Sequence, residues 1–204
     1  MSRHSMRRGS TGTIGPDGGD PAVVDWMRAL ETAPQLDVPV ARVTRLANRV
    51  LPPGPLRDGL RGHRWLGHAV HPLLTDLPLG MWTSALVLDL VGGREAEGAA
   101  QRLVGLGVVA AVPTALTGWA EWVGLAERDR RVGLVHAAAN ATGIALFAGS
   151  WRARRAGARR RGIALAVAGS LAAAAGGYLG AHLTEVRKVA GSHPAFAAAA
   201  GDTS

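Results

Sequence analysis

Four long apolar runs decide what this chain can fold into. They cover roughly residues 72–92, 103–121, 132–151 and 162–184. The second is uncharged from Leu103 to Ala120, and the fourth carries no Asp, Glu, Lys or Arg. About 20 helical residues cross a hydrocarbon layer of about 30 Å, so each run is long enough to span a membrane. A soluble bundle of these helices would need every one buried on all sides, with no polar face left for water. The expected fold is therefore all-α: a four-helix transmembrane bundle over 67–186, preceded by one or two short amphipathic helices.

The flanking segments follow from composition. Residues 1–19, rich in Gly, Ser and Arg, read as a disordered tail with no apolar core of a signal peptide, and 187–204 as a second tail. Between them, 20–66 reads as an interfacial helical segment. Asp20 and Pro21 resemble a helix cap and first-turn proline opening "PAVVDWMRALETA". In "VPVARVTRLANRVL" (38–51), Val40, Val43, Leu46, Ala47 and Val50 share one face, with Arg42, Arg45 and Arg49 on another. That pattern fits a helix lying in a membrane interface and equally one packed on the domain. "PPGP" at 52–55 ends it. Within the bundle, Pro78 and Pro113 interrupt the first and second helices. Trp65, Trp82, Trp119, Trp122 and Trp151 fall mostly near helix ends, where indoles favour the headgroup zone.

Charge excludes little, and cysteine excludes more. The formal net charge is +8, nearly all of it from Arg, since Lys188 is the only lysine. This composition fits a GC-rich bacterial genome and a bacterial plasma membrane. The strongest basic cluster, Arg152, Arg154, Arg155, Arg159, Arg160 and Arg161, lies between two apolar runs without stacking aromatics. It reads as a loop on anionic lipid headgroups rather than a nucleic-acid site. Counting loop Arg and Lys on the two sides gives a tie for orientation, tipped toward a cytoplasmic N-terminus by Arg42, Arg45 and Arg49. With no cysteine, disulfides, thiolate metal sites, cysteine-ligated iron–sulfur clusters and covalent haem attachment are excluded.

Ionisable groups inside these runs need partners. With four crossings, the start of the first and third helices and the end of the second and fourth lie on one side. That brings His68, His71, His136 and His182 to one leaflet, near Asp76, Glu121, Asn140 and Glu185. Intramembrane ionisable residues face the bundle interior and mark function by default. His71, His136 and His182, with His68 as an alternate and Asp76 orienting them, could ligate an iron or zinc ion through neutral nitrogens. Two opposed imidazoles could instead hold haem b, with Gly176, Gly177 and Gly180 admitting a flat ring. The same glycines suit close helix packing, and each histidine could serve only as a polar pair: His71 as an N-cap, His136 with Asp76, His182 with Glu185 or a backbone carbonyl. His63 and His193 read as interfacial. There is no phosphate-binding loop, nucleophile elbow or zinc-protease motif, so no catalytic residue is assigned.

The segments "LRDGLRGHRWLGHAVHPLLTDLPLGMWTSALVLDL", "RRVGLVHAAANATGIALFAGSWRARR" and "GGYLGAHL" resemble a bacterial membrane family known only as domain of unknown function 2231. The resemblance covers roughly 50–185. It includes Gly67-His68, His71-Pro72, Pro78 and Gly80, with Ala69 where the family usually has proline. It implies a four-span membrane protein without an established activity. Relatives often carry a Rieske-type iron–sulfur domain, whose two cysteines are missing here, so the resemblance implies that any Rieske function comes from a separate redox protein or is absent. Three readings stand: a membrane redox component with a His-bound cofactor; a non-catalytic scaffold whose His and Asp groups fix helix packing; and a proton-coupled transporter using Asp76 and the histidines.

Overall fold

The computed structural model describes residues 20–189 and residue 193; both expected tails fall largely outside them. Seven α-helices follow one another among the described residues: α1 Ala22–Glu31, α2 Asp37–Val50, α3 Pro55–Arg61, α4 His71–Val91, α5 Glu97–Trp122, α6 Glu127–Arg155 and α7 Arg159–Ala181. The last four are long and apolar enough to cross a membrane, with α7 continuing to Val186 through a π-helical turn, His182–Val186. The fold is the expected all-α one.

Helices α5, α6 and α7 begin earlier than their apolar runs. Helix α5 starts at Glu97 and α6 at Glu127, so Arg102 and the run Glu127–Arg131 are helical rather than loop. Acidic residues in a first turn favour the helix dipole, so Glu97, Glu127 and Asp129 support those starts. Helix α3, after Pro52–Pro53, is an element the apolar pattern does not show. Gly54 (φ 151°) turns the chain and Pro55 takes the first helical turn. Asp20 does not cap α1: Pro21 holds the N-cap position without a side-chain bond, and Asp20 pairs with Arg28 instead.

The spanning helices form two hairpins, α4 with α5 and α6 with α7, closed against each other. Where they meet, the Trp82 ring lies flat on Phe147 with centroids 4.0 Å apart and planes 9° from parallel. Trp82 is therefore core, 5% exposed, and not a headgroup anchor. Its indole fits because α5 offers Gly107, where any Cβ would meet Trp82 Nε1 at 2.3 Å. Gly169 on α7 gives Phe147 the same room, at 3.1 Å. Small residues let membrane helices approach this closely.

Pro78 removes one backbone donor from α4 and leaves the Leu74 carbonyl without its usual partner. The Thr114 hydroxyl of α5, shared with the Ala110 carbonyl of its own helix at 2.9 Å, reaches the Leu74 carbonyl at 3.1 Å. The neighbouring hairpin helix thus satisfies a group that hydrocarbon could not.

The three short helices cover the end of the bundle where α4 starts. Helix α1 packs Met27 on Val132, Leu179 and Leu183. Helix α2 packs Val40 and Ala47 on Trp122, and leaves Leu46 and Val50 exposed beside Arg42, Arg45 and Arg49. The packed reading of 38–51 therefore holds for the face carrying Val40 and Ala47.

Candidate functional site

His71 is the first residue of α4, and His136 lies more than two turns into α6. The structure brings their rings together, with centroids 6.2 Å apart and planes at 81°. Each ring is fixed by a carbonyl of the partner helix in its own hairpin. His71 Nδ1 lies 2.9 Å from the Thr114 carbonyl of α5, and His136 Nδ1 lies 2.8 Å from the Gly176 carbonyl of α7. A carbonyl only accepts, so each Nδ1 carries the hydrogen and each Nε2 keeps a lone pair. Metal-bound imidazoles adopt this same arrangement, one nitrogen donating to a backbone oxygen and the other free to ligate.

Glycine makes room for both rings. A Cβ at Gly118 would meet His71 Cε1 at 2.8 Å, and one at Gly180 would meet His136 Cε1 at 3.0 Å. Of the glycines expected to admit a flat ring, Gly180 thus backs His136, Gly176 receives the Asn140 amide, and Gly177 has open space. The Asn140 amide donates to the His136 backbone carbonyl at 3.0 Å and lies 3.2 and 3.4 Å from the two ring nitrogens, beside the ring rather than along the Nε2 lone pair.

The other proposed ligands do not converge on this pair. His182 Nε2 sits 2.8 Å from Glu31 Oε1 of α1, both side chains nearly buried, and Glu185 is not its partner. His68 is exposed and bonds the Ala69 carbonyl at 3.0 Å. Asp76 lies on the outer face of α4 and makes no hydrogen bond or ion pair among the described residues, so it neither orients a histidine nor bonds His136. Among the described residues no group of three or more His, Cys, Asp or Glu could hold a metal ion. The expected four-residue ion site therefore reduces to two facing imidazoles.

His182 belongs to a polar cluster that ties the short helices to the bundle. Arg187 bonds Asp129 at 2.7 Å and lies 3.9 Å from Glu31, while Arg131 bonds Asp37 at 2.7 Å and the Glu31 carbonyl at 2.9 Å. The Asp129 carboxylate holds the Arg187 guanidinium above its ordinary pKa. On the other hairpin, Glu121 at the end of α5 faces His63 at 2.8 Å and Arg61 at 3.7 Å. His63 is thus partly buried against Glu121. Two cavities, about 310 Å³ beside Asp37 and Arg45 and about 230 Å³ beside Leu116 and Trp119, lie away from the paired imidazoles.

The basic cluster divides. Arg152, Arg155, Arg160 and Arg161 are exposed, but on the last turn of α6 and the first turn of α7 rather than in a loop, and Arg155 also lies over the Trp151 ring at 5.0 Å. Arg154 turns inward to Asp89, with bonds of 2.9 and 2.5 Å, and neither side chain is more than 2% exposed. Arg159 lies half-buried, 3.7 Å from Asp89 and 3.6 Å from Glu97. Sequence reasoning missed this pairing because Asp89 and Arg154 stand in separate runs; their common depth, each near the far end of a helix, was the available signal.

The family model described as Predicted membrane protein (DUF2231) matches residues 67–192, which include all four spanning helices and both paired imidazoles. The chain belongs to this family. It is a multi-pass membrane protein of a family without an assigned activity, and the helices α1 to α3 lie before the family region. No curated protein and no solved structure matches the chain.

Proposed function

We propose that this family member is a redox component of a bacterial plasma membrane, in which His71 and His136 hold one iron centre between the two hairpins. The observation that carries the reading is the pair itself: two imidazoles 6.2 Å apart, each with Nδ1 bonded to a helix carbonyl and Nε2 left as a lone pair. Metal–imidazole bonds are about 2.0–2.1 Å, so one ion between two rings needs their nitrogens about 4 Å apart. The 6.2 Å centroid separation is of the size two imidazoles on one ion require. Imidazole suits iron, and bis-imidazole ligation leaves iron free to change oxidation state and exchange an electron with a separate redox protein.

The shared chemistry is iron accepted by two neutral imidazoles, and the source is either haem b or a bare ion. Protein purified in detergent, from cells supplied with iron and haem precursor, is tested by a reduced-minus-oxidised spectrum and elemental analysis. A haem band that disappears in His71→Ala and in His136→Ala identifies haem; iron without that band, lost in the same variants, identifies the ion. Protein free of both leaves the paired imidazoles as packing groups of a membrane scaffold and overturns the proposal.

A further inference from the structure

The two hairpins are built alike, position by position. Moving 65 residues along the chain carries His71 to His136, Pro78 to Gly143, Trp82 to Phe147, Ala85 to Ser150 and Asp89 to Arg154. Pro78, Trp82 and Ala85 are buried in α4, and Gly143, Phe147, Ser150 and Arg154 in α6. For the second helix of each hairpin the shift is 62: six of the eight buried residues of α5, Ala100, Val104, Gly107, Ala111, Thr114 and Thr117, map onto Gly162, Ala166, Gly169, Ala173, Gly176 and Leu179. All six of those are buried in α7. The change from 65 to 62 falls in the connections, where the link after α6 is shorter than the link after α4.

The contacts repeat as well. His71 bonds the Thr114 carbonyl as His136 bonds that of Gly176. Gly118 and Gly180 back the two imidazoles, and Gly107 and Gly169 the two aromatic rings. Equivalent residues also touch one another: His71 with His136, Trp82 with Phe147, Asp89 with Arg154, and Glu97 with Arg159. Residues meet their own equivalents only along a twofold axis.

We infer that the membrane domain is a duplicated helical hairpin whose halves pair about a pseudo-twofold axis along the bundle, and that charge on this axis restricts each half to the opposite one. The first hairpin places Asp89 and Glu97 at two equivalent positions, and the second places Arg154 and Arg159 there. Two first hairpins facing each other would bury four acids; two second hairpins would bury four arginines. Like-charge juxtaposition of this kind rejects the wrong partner, and register and partner choice are the best-attested roles of buried ionic groups. The partner surface of each hairpin is therefore the unlike hairpin, and this holds whatever the imidazoles bind.

Charge exchange on the full chain tests it. Asp89→Arg with Glu97→Arg, or Arg154→Asp with Arg159→Glu, leaves one sign on the axis and should lower the melting temperature in detergent by roughly 10 °C or prevent folding. All four substitutions together restore opposite signs and should recover most of the loss, short of the Arg154 bond to Ser150. A milder cycle at the half-exposed pair, Glu97→Arg, Arg159→Glu and both, keeps the test readable if the buried variants do not fold. Combined exchanges as unstable as the one-sided ones in both cycles would overturn the inference.

Discussion

Asp89 and Arg154 join α4 to α6 through two hydrogen bonds, 2.9 and 2.5 Å, at the end of the bundle away from the imidazoles. Charges are costly in hydrocarbon unless they face the interior and pair, and this pair meets both conditions. Removing one partner leaves the other buried and uncompensated, which costs about 3–5 kcal/mol. Asp89→Ala and Arg154→Ala should each lower thermal stability in detergent by that order. Arg152→Ala, at an exposed position in the last turn of α6, should leave it within about 0.5 kcal/mol.

Gly118→Ala and Gly180→Ala press a methyl group against the His71 and His136 rings, at 2.8 and 3.0 Å. The rings must turn away from the Thr114 and Gly176 carbonyls, and overpacking of this kind costs about 1–3 kcal/mol. Gly177→Ala and Gly80→Ala meet open space and should be close to neutral. Thermal melts of the four variants check the contrast.

Thr114→Val removes the hydroxyl that reaches the Leu74 carbonyl freed by Pro78. Hydrogen bonds between membrane helices average about 0.6 kcal/mol and reach about 1.7. The loss should lie in that range, and restoring a backbone donor with Pro78→Ala should make Thr114→Val less damaging. A double-mutant cycle on stability measures the coupling.

His182→Ala breaks the contact with Glu31 that helps hold α1 on the bundle. Limited proteolysis should then cut the segment 20–50 faster, while iron content and spectrum stay as in the parent protein. Loss of iron in this variant would return His182 to the site.

The fold was largely legible because apolar runs of membrane length have few alternatives. The charged first turns of α5 and α6 were not, since Glu97 and Glu127–Arg131 break the apolar pattern while the helix dipole and ion pairs support them. The meeting of His71 and His136 followed from counting crossings, which fixes depth. Depth does not fix which way a side chain faces, so Asp76, at a similar depth, lies on the outer face of its helix. His182 found Glu31, 151 positions away, because α1 folds back over the bundle end, a tertiary arrangement that the periodicity of neither segment contains. Arg154 was hidden among five other arginines and is distinguished by its complete burial and its two hydrogen bonds to Asp89.

Iron content per chain, measured on parent protein, His71→Ala, His136→Ala and His182→Ala after identical preparation with iron and haem precursor, tests the central claim most directly. The account predicts about one iron per chain in the parent and in His182→Ala, and loss of nearly all of it in each of the other two, since one centre needs both imidazoles. Iron retained in either His71→Ala or His136→Ala, or missing from a folded parent protein, would contradict it.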